Sequence, residues 1–106
     1  MDAARVCRMW TELISRALPV SPLTPANAAP FDAKSATIAT VANAASAADP
    51  TWNALATDIA GANDFASAAL PDINTRIGID CKQVPADAAT KVAAEPDPFP
   101  TTTSTP

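Results

Sequence analysis

The chain has no histidine and no tyrosine, and among its 106 residues only two are glycine. Each absence narrows the chemistry. Histidine is the side chain whose ordinary pKa lies nearest neutrality, so acid–base work would fall to a tuned carboxylate or lysine. With Gly61 and Gly78 alone, neither a phosphate-cradling loop nor a dinucleotide-binding glycine pattern can form. Aromatic residues make up 5% of the chain. No run approaches the roughly 20 apolar residues of a membrane span.

Cysteine is scarce too. Two cysteines without histidine cannot supply the usual four zinc ligands, and they are not spaced as a redox Cys-x-x-Cys. Haem ligation lacks its His and Tyr donors. The serines, Ser15, Ser21, Ser35, Ser46, Ser67 and Ser104, lie in no recognisable nucleophile elbow. Asp58 and Asp64 are too far apart on one helix to face each other, and Asp72 and Asp80 fall near helix ends. The sequence therefore predicts a protein that is not an enzyme, with no cofactor and no metal.

Basic residues are outnumbered, with Lys and Arg at 7 against 11 Asp and Glu, a net charge of −4 and a pI near 4.4. Arg5, Arg8 and Arg16 share one segment, but Asp2 and Glu12 interrupt it. The reading is a solvated helix face and no nucleic-acid partner.

What is abundant is alanine, about half of the 48% hydrophobic residues. Alanine favours helix because it loses no side-chain entropy there. It also buries little area, so the core falls to Trp10, Trp52, Phe31, Phe65, Leu13, Leu18, Leu55, Leu70 and a set of Ile and Val. At roughly 25 cal/mol per Å² such a core is thin, and a domain this small often needs a staple.

Four helices are predicted. Residues 3–18 place Val6, Trp10, Leu13 and Ala17 on one face, and Pro19 ends the helix. Residues 19–31, with Pro19, Pro22, Pro25 and Pro30, read as a long connection. Asp32 is the expected N-cap of a helix over 33–48, with Phe31, Ile38, Val41, Ala42 and Ala45 inward. Asp49-Pro50 starts the next helix, 50–69, lined by Trp52, Leu55, Ile59, Ala62 and Ala66. Phe65 falls off that face, so it is either exposed or marks a re-phased turn. The last helix, 71–83, turns Leu70, Ile73, Ile77, Cys81 and Val84 to one side. Residues 85–106, rich in proline and ending Thr101-Thr102-Thr103-Ser104-Thr105-Pro106, cannot bury a core and read as a disordered tail, in which Ala86 to Ala94 is at most a transient helix. The expectation is thus an all-α domain over 1–84, an up-down-up-down bundle of about four helices, and a tail over 85–106.

Cys7 and Cys81 fit that topology. In such a bundle the start of the first helix and the end of the fourth share one end. A Cys7–Cys81 disulfide would then close a long loop worth about 4 kcal/mol in the chain-entropy model, and would place the protein in an oxidising compartment. Two buried free thiols are the alternative. Trp10 and Trp52 likewise carry two readings: plain core packing, or the walls of an apolar crevice that holds a lipid-like molecule.

Together these residues suggest a family. Cys7-x-x-Trp10, a Pro/Ala connection, an alanine-rich helix, Asp49-Pro50-x-Trp52-x-x-Leu55-Ala56-x-Asp58 and a closing Cys81 resemble the helical extracytoplasmic domains of small actinobacterial, especially mycobacterial, secreted proteins and lipoproteins. The resemblance covers roughly residues 4–84. It implies export to the cell envelope or beyond, a helical fold and a structural cysteine pair, and it carries no catalytic residue. No export signal is visible, since Met1-Asp2-Ala3 leads straight into an amphipathic segment.

The leading functional expectation is a non-enzymatic interaction module of the cell envelope with a protein partner. Two alternatives stand beside it: a small apolar-ligand carrier, and a cytosolic, phage-derived regulator binding a host protein. Nothing in the sequence sets the oligomeric state.

Overall fold

The computed structural model describes residues 2–20, 22–96, 98 and 99, and these are all-helical, with no strand among them. Five α-helices follow one another: α1 Asp2–Ala17, α2 Pro25–Ala48, α3 Asn53–Gly61, α4 Leu70–Cys81 and α5 Ala86–Ala93. Short 3₁₀ turns, Leu18–Val20 and Pro50–Trp52, lie before α2 and α3.

The first helix forms as its pattern predicts. Ala3, Val6, Trp10, Leu13 and Ala17 recur every three or four residues and are buried. Asp2 in the first turn and Arg16 in the last complement the helix dipole.

The second helix starts earlier than expected. Its cap is Thr24 rather than Asp32: Thr24 Oγ1 accepts the Asn27 N–H at 3.3 Å, and Asn27 Oδ1 accepts the Thr24 N–H at 2.6 Å. This reciprocal box satisfies two donors that the first turn would otherwise leave unpaired, and Pro25 sits at the start of the helix, where a missing N–H costs nothing. Pro30 lies inside α2 and forfeits one ladder bond, to the Ala26 carbonyl. The long connection predicted over 19–31 therefore shrinks to the residues between α1 and Thr24.

At the next boundary Asp49 caps as predicted, its Oδ1 accepting the Thr51 N–H at 3.0 Å. The helix that follows stops at Gly61 instead of running to 69. Ser35 and Asp32, both on α2, hold the segment beyond it. Ser35 donates to the Ala62 carbonyl at 2.6 Å, and Asp32 accepts the Phe65 N–H at 2.7 Å. Phe65 is the re-phased turn, and it is 2% exposed, packed against Trp10 at 5.6 Å and Phe31 at 5.9 Å between ring centroids.

The first four helices close a ring in which α1 packs on α2, α2 on α3, α3 on α4 and α4 on α1. Paired contacts give their directions. Between α1 and α4 the pairs are Cys7–Cys81 and Trp10–Asn74. Between α2 and α3 they are Ser35–Ala62 and Ser46–Asn53. In both cases one number rises as the other falls, so the helices run antiparallel. Asp2 and Ala3 meet Ala45, Ala48 and Trp52 at one end. Ile14 and Leu18 meet Leu23, Leu70 and Pro71 at the other. This is the up-down-up-down bundle.

The fifth helix falls in the segment read as tail. It packs on α1 and buries Val92. An eight-residue helix is marginal alone, so its docking contacts sustain it. The Thr-rich run 101–106 lies outside the described residues.

Candidate functional site

Cys7 and Cys81 form the disulfide, with Cα atoms 5.8 Å apart and a sequence separation of 74. The bond joins the first turns of α1 to the last turn of α4, and neither cysteine is free. Both are half-buried and pack against the edge of the core.

The two tryptophans are core residues. Trp10 is 3% exposed and Trp52 is 5% exposed. The Trp10 indole N–H donates to Asn74 Oδ1 at 2.7 Å, which satisfies its one polar atom and ties α1 to α4. Trp52 closes the opposite end of the bundle beside Ala3, Ala45 and Ala48.

An apolar cleft opens at the other end, where α1, the α1–α2 connection, the α3–α4 connection and α4 converge. It measures about 350 Å³, and its walls include Ile14, Leu18, Leu23, Phe65 and Leu70. Leu18 is 68% exposed and Val20 37% exposed on the 3₁₀ turn there. The turn explains the exposure. Pro19 stops α1 before Leu18 can join its inward stripe, so the side chain is left outside. Sequence reasoning counted Leu18 as core and missed this cleft. The signal was present in the Leu18-Pro19-Val20 triplet, where a helix ends on apolar residues.

The arginines of α1 are occupied. The Arg5 guanidinium grips Glu95 through Nε at 3.0 Å and Nη2 at 2.9 Å, and reaches Asp2 at 3.2 Å. That hydrogen bond and charge hold Glu95 below its ordinary range. Arg8 Nη1 donates to three carbonyls at the end of α5: Val92 at 2.8 Å, Glu95 at 2.6 Å and Pro96 at 3.1 Å. It binds carbonyls in and just beyond the last turn of α5, where the Val92 carbonyl also accepts the Glu95 N–H at 3.0 Å. Arg16 pairs with Glu12 at 4.0 Å and stacks on the Phe99 ring at 5.8 Å. The cluster clamps the chain's own C-terminal segment onto α1. Shallow clefts of about 210 and 270 Å³ flank α5 on its two sides.

One carboxyl pair is brought together that the sequence does not announce. Asp58 on α3 accepts from Arg76 Nε on α4 at 3.3 Å. Asp80, one helical turn beyond Arg76, faces the same carboxylate. Its Oδ2 is buried and has no donor to accept from. Burial, and then the hydrogen bond and negative charge of Asp58, push Asp80 up to about 6, and Arg76 opposes the shift. The pair lines none of these clefts. Asp64 and Asp72 have local roles: Asp64 Oδ1 accepts the Ala66 N–H at 3.1 Å, and Asp72 sits in the first turn of α4.

Among the described residues no group of three or more His, Cys, Asp or Glu side chains is placed to hold a metal, and no helix is long and apolar enough to cross a membrane. No protein-family model, curated protein or solved structure matches the chain, so the likeness to actinobacterial extracytoplasmic domains rests on the sequence pattern alone.

Proposed function

We propose that the protein is a non-enzymatic interaction module that works outside the cytosol and engages a protein partner through the open end of its bundle. The observation that carries this reading is the apolar cleft with exposed Leu18 in its wall. Among the described residues the other large apolar side chains are buried or half-buried, apart from Val20 and from Ile79 on α4. A contiguous apolar patch is a common mark of a binding face. A cleft of this size suits one or two anchoring side chains of a partner, the usual centre of a binding hot spot.

The disulfide supports the compartment, because such bonds persist in oxidising surroundings and are rare in the cytosol. It weighs against the cytosolic regulator, which calls for reduced thiols. The occupied arginines support a protein partner over nucleic acid, since they are committed within the chain. The likeness to exported helical domains agrees with the compartment.

The test is a comparison of wild type with Leu18→Asp as baits on cell-envelope fractions. The reading expects a partner that wild type retains and Leu18→Asp loses. Equal retention, or none above background, removes it.

The same cleft sustains the ligand-carrier reading, now placed beside Phe65 rather than at Trp10 and Trp52. Its volume of about 350 Å³ lies at the low end of small-molecule pockets. Native mass spectrometry of freshly isolated protein separates the two readings. A bound apolar molecule favours the carrier, and a clean apo mass favours the interaction module.

A further inference from the structure

Two acidic side chains from different helices meet beside the Arg76 guanidinium. Asp58 comes from α3, and Asp80 and Arg76 come from α4. The groups around it are few. On α4 itself, Lys82 follows at the C-cap and is exposed. From α1, on the other flank of α4, Cys7 is bonded to Cys81, and Arg8 and Glu12 line the cleft beside that bond. Arg8 is spent on the α5 carbonyls and Glu12 on Arg16. Asp80 is thus left to Asp58 and Arg76.

Arg76 is bonded to Asp58, and Asp80 Oδ2 is sequestered without a donor. An ionised Asp80 would hold one oxygen out of water with the Asp58 carboxylate beside it. A protonated Asp80 instead donates to Asp58, and each carboxyl is satisfied. We propose that Asp58, Asp80 and Arg76 form a proton-operated latch: a proton on Asp80 bonds the last turn of α4 to α3, and its loss sets two carboxylates against each other and loosens that turn beside the disulfide.

Acidity favours the closed state. Asp80 binds its proton more tightly in the folded chain than an ordinary aspartate does, so the latch is fully formed below about pH 4 and is lost as pH rises through about 6. The chain has no histidine to confuse the transition. The loosened turn carries Cys81, and the latch therefore makes the stiffness of the disulfide corner depend on pH.

The experiment uses the full chain. The Asp80 carboxyl is followed by carbon-detected NMR titration in wild type, Asp58→Asn and Arg76→Gln, and amide exchange in the last turn of α4 is compared between pH 5 and pH 7.5 in wild type and Asp80→Asn. Asp80 should titrate near pH 6, lower in Asp58→Asn and higher in Arg76→Gln. Amide exchange, corrected for its intrinsic pH dependence, should rise roughly tenfold in wild type, the equivalent of one pKa unit, and stay flat in Asp80→Asn. A merely buried carboxyl would answer to neither neighbour. Titration of Asp80 in the ordinary carboxylate range, or the same exchange response in wild type and Asp80→Asn, overturns the proposal. Should Asp80→Asn fail to fold, the two neighbour variants still decide it by the direction in which they move Asp80.

Discussion

Asp32 Oδ1 accepts the backbone N–H of Phe65 at 2.7 Å, across a separation of 33 residues. The bond fastens the connection between α3 and α4 to α2 and seats the Phe65 ring between Trp10 and Phe31. Because Phe65 is also a wall of the apolar cleft, the same bond shapes the proposed docking face.

Asp32→Ala should accordingly destabilise the fold by about 1–3 kcal/mol, because it leaves a part-buried N–H without a partner. Urea denaturation gives the value. The variant should also weaken partner retention, since the cleft loses a fixed wall. Unchanged stability would mean that the bond is not formed in solution.

Gly78 should tolerate a methyl group with profit. It lies in the interior of α4, it is exposed, and a Cβ there would meet nothing within 4 Å. Gly78→Ala should stabilise the protein by up to about 1 kcal/mol, by restricting the unfolded chain and improving helix propensity. A raised denaturant midpoint checks it.

The disulfide should matter about as much as a large core side chain. Removing it by a Cys7→Ala/Cys81→Ala double substitution should cost about 2–5 kcal/mol, the range for native bridges in small domains. Protein isolated from its native compartment without reductant should show no reactive thiol and a mass two hydrogens below the reduced value. Two free thiols would remove the argument for an oxidising compartment.

The α5 clamp should open separately from the bundle. Arg8→Ala removes the donor that reaches three carbonyls at its end. Hydrogen exchange over 86–93 should then lose its protection while α1 to α4 keep theirs. High salt should act in the same direction by screening Arg5 from Glu95. Loss of protection throughout the chain would show instead that α5 is part of the cooperative core.

Stability should fall on both sides of mildly acidic pH, for opposite reasons. Asp49, lowered by the Thr51 N–H, and Glu95, lowered by Arg5, stabilise the fold above the ordinary carboxylate range, and that contribution is lost as pH falls through their depressed values. Asp80, raised to about 6, has the reverse sign: its contribution is present below about pH 4 and lost as pH rises through 6. Wild type should therefore show a higher urea midpoint at pH 5 than at pH 7.5, and Asp80→Asn should abolish that difference.

What the sequence makes legible follows from periodicity and punctuation. Val6, Trp10, Leu13 and Ala17 announce α1, Asp49-Pro50 announces the next boundary, and Cys7 on the first and Cys81 on the last of four helices favour a bond over two free thiols. What it hides depends on tertiary partners. Thr24 and Asn27 cap α2 as a pair, but four prolines nearby mask them as loop. α3 ends at Gly61 because Ser35 and Asp32 capture Ala62 and Phe65 from a distance, which no local pattern signals. α5 carries one large apolar residue, Val92, and its docking depends on Arg5 and Arg8, at sequence separations of 84 to 90. The Asp58–Asp80 pair joins two helices, so it is invisible to spacing along either.

The proposed function stands or falls on whether the Leu18 end of the bundle touches a partner. A photo-crosslinking residue placed at Leu18, with a second placed at the exposed Thr40 on α2 as control, tests it most directly in cells that make the protein. A discrete adduct at Leu18 that is absent at Thr40 is the predicted result. Identical crosslinking at the two positions, or none at Leu18, would contradict an interaction module working through this cleft.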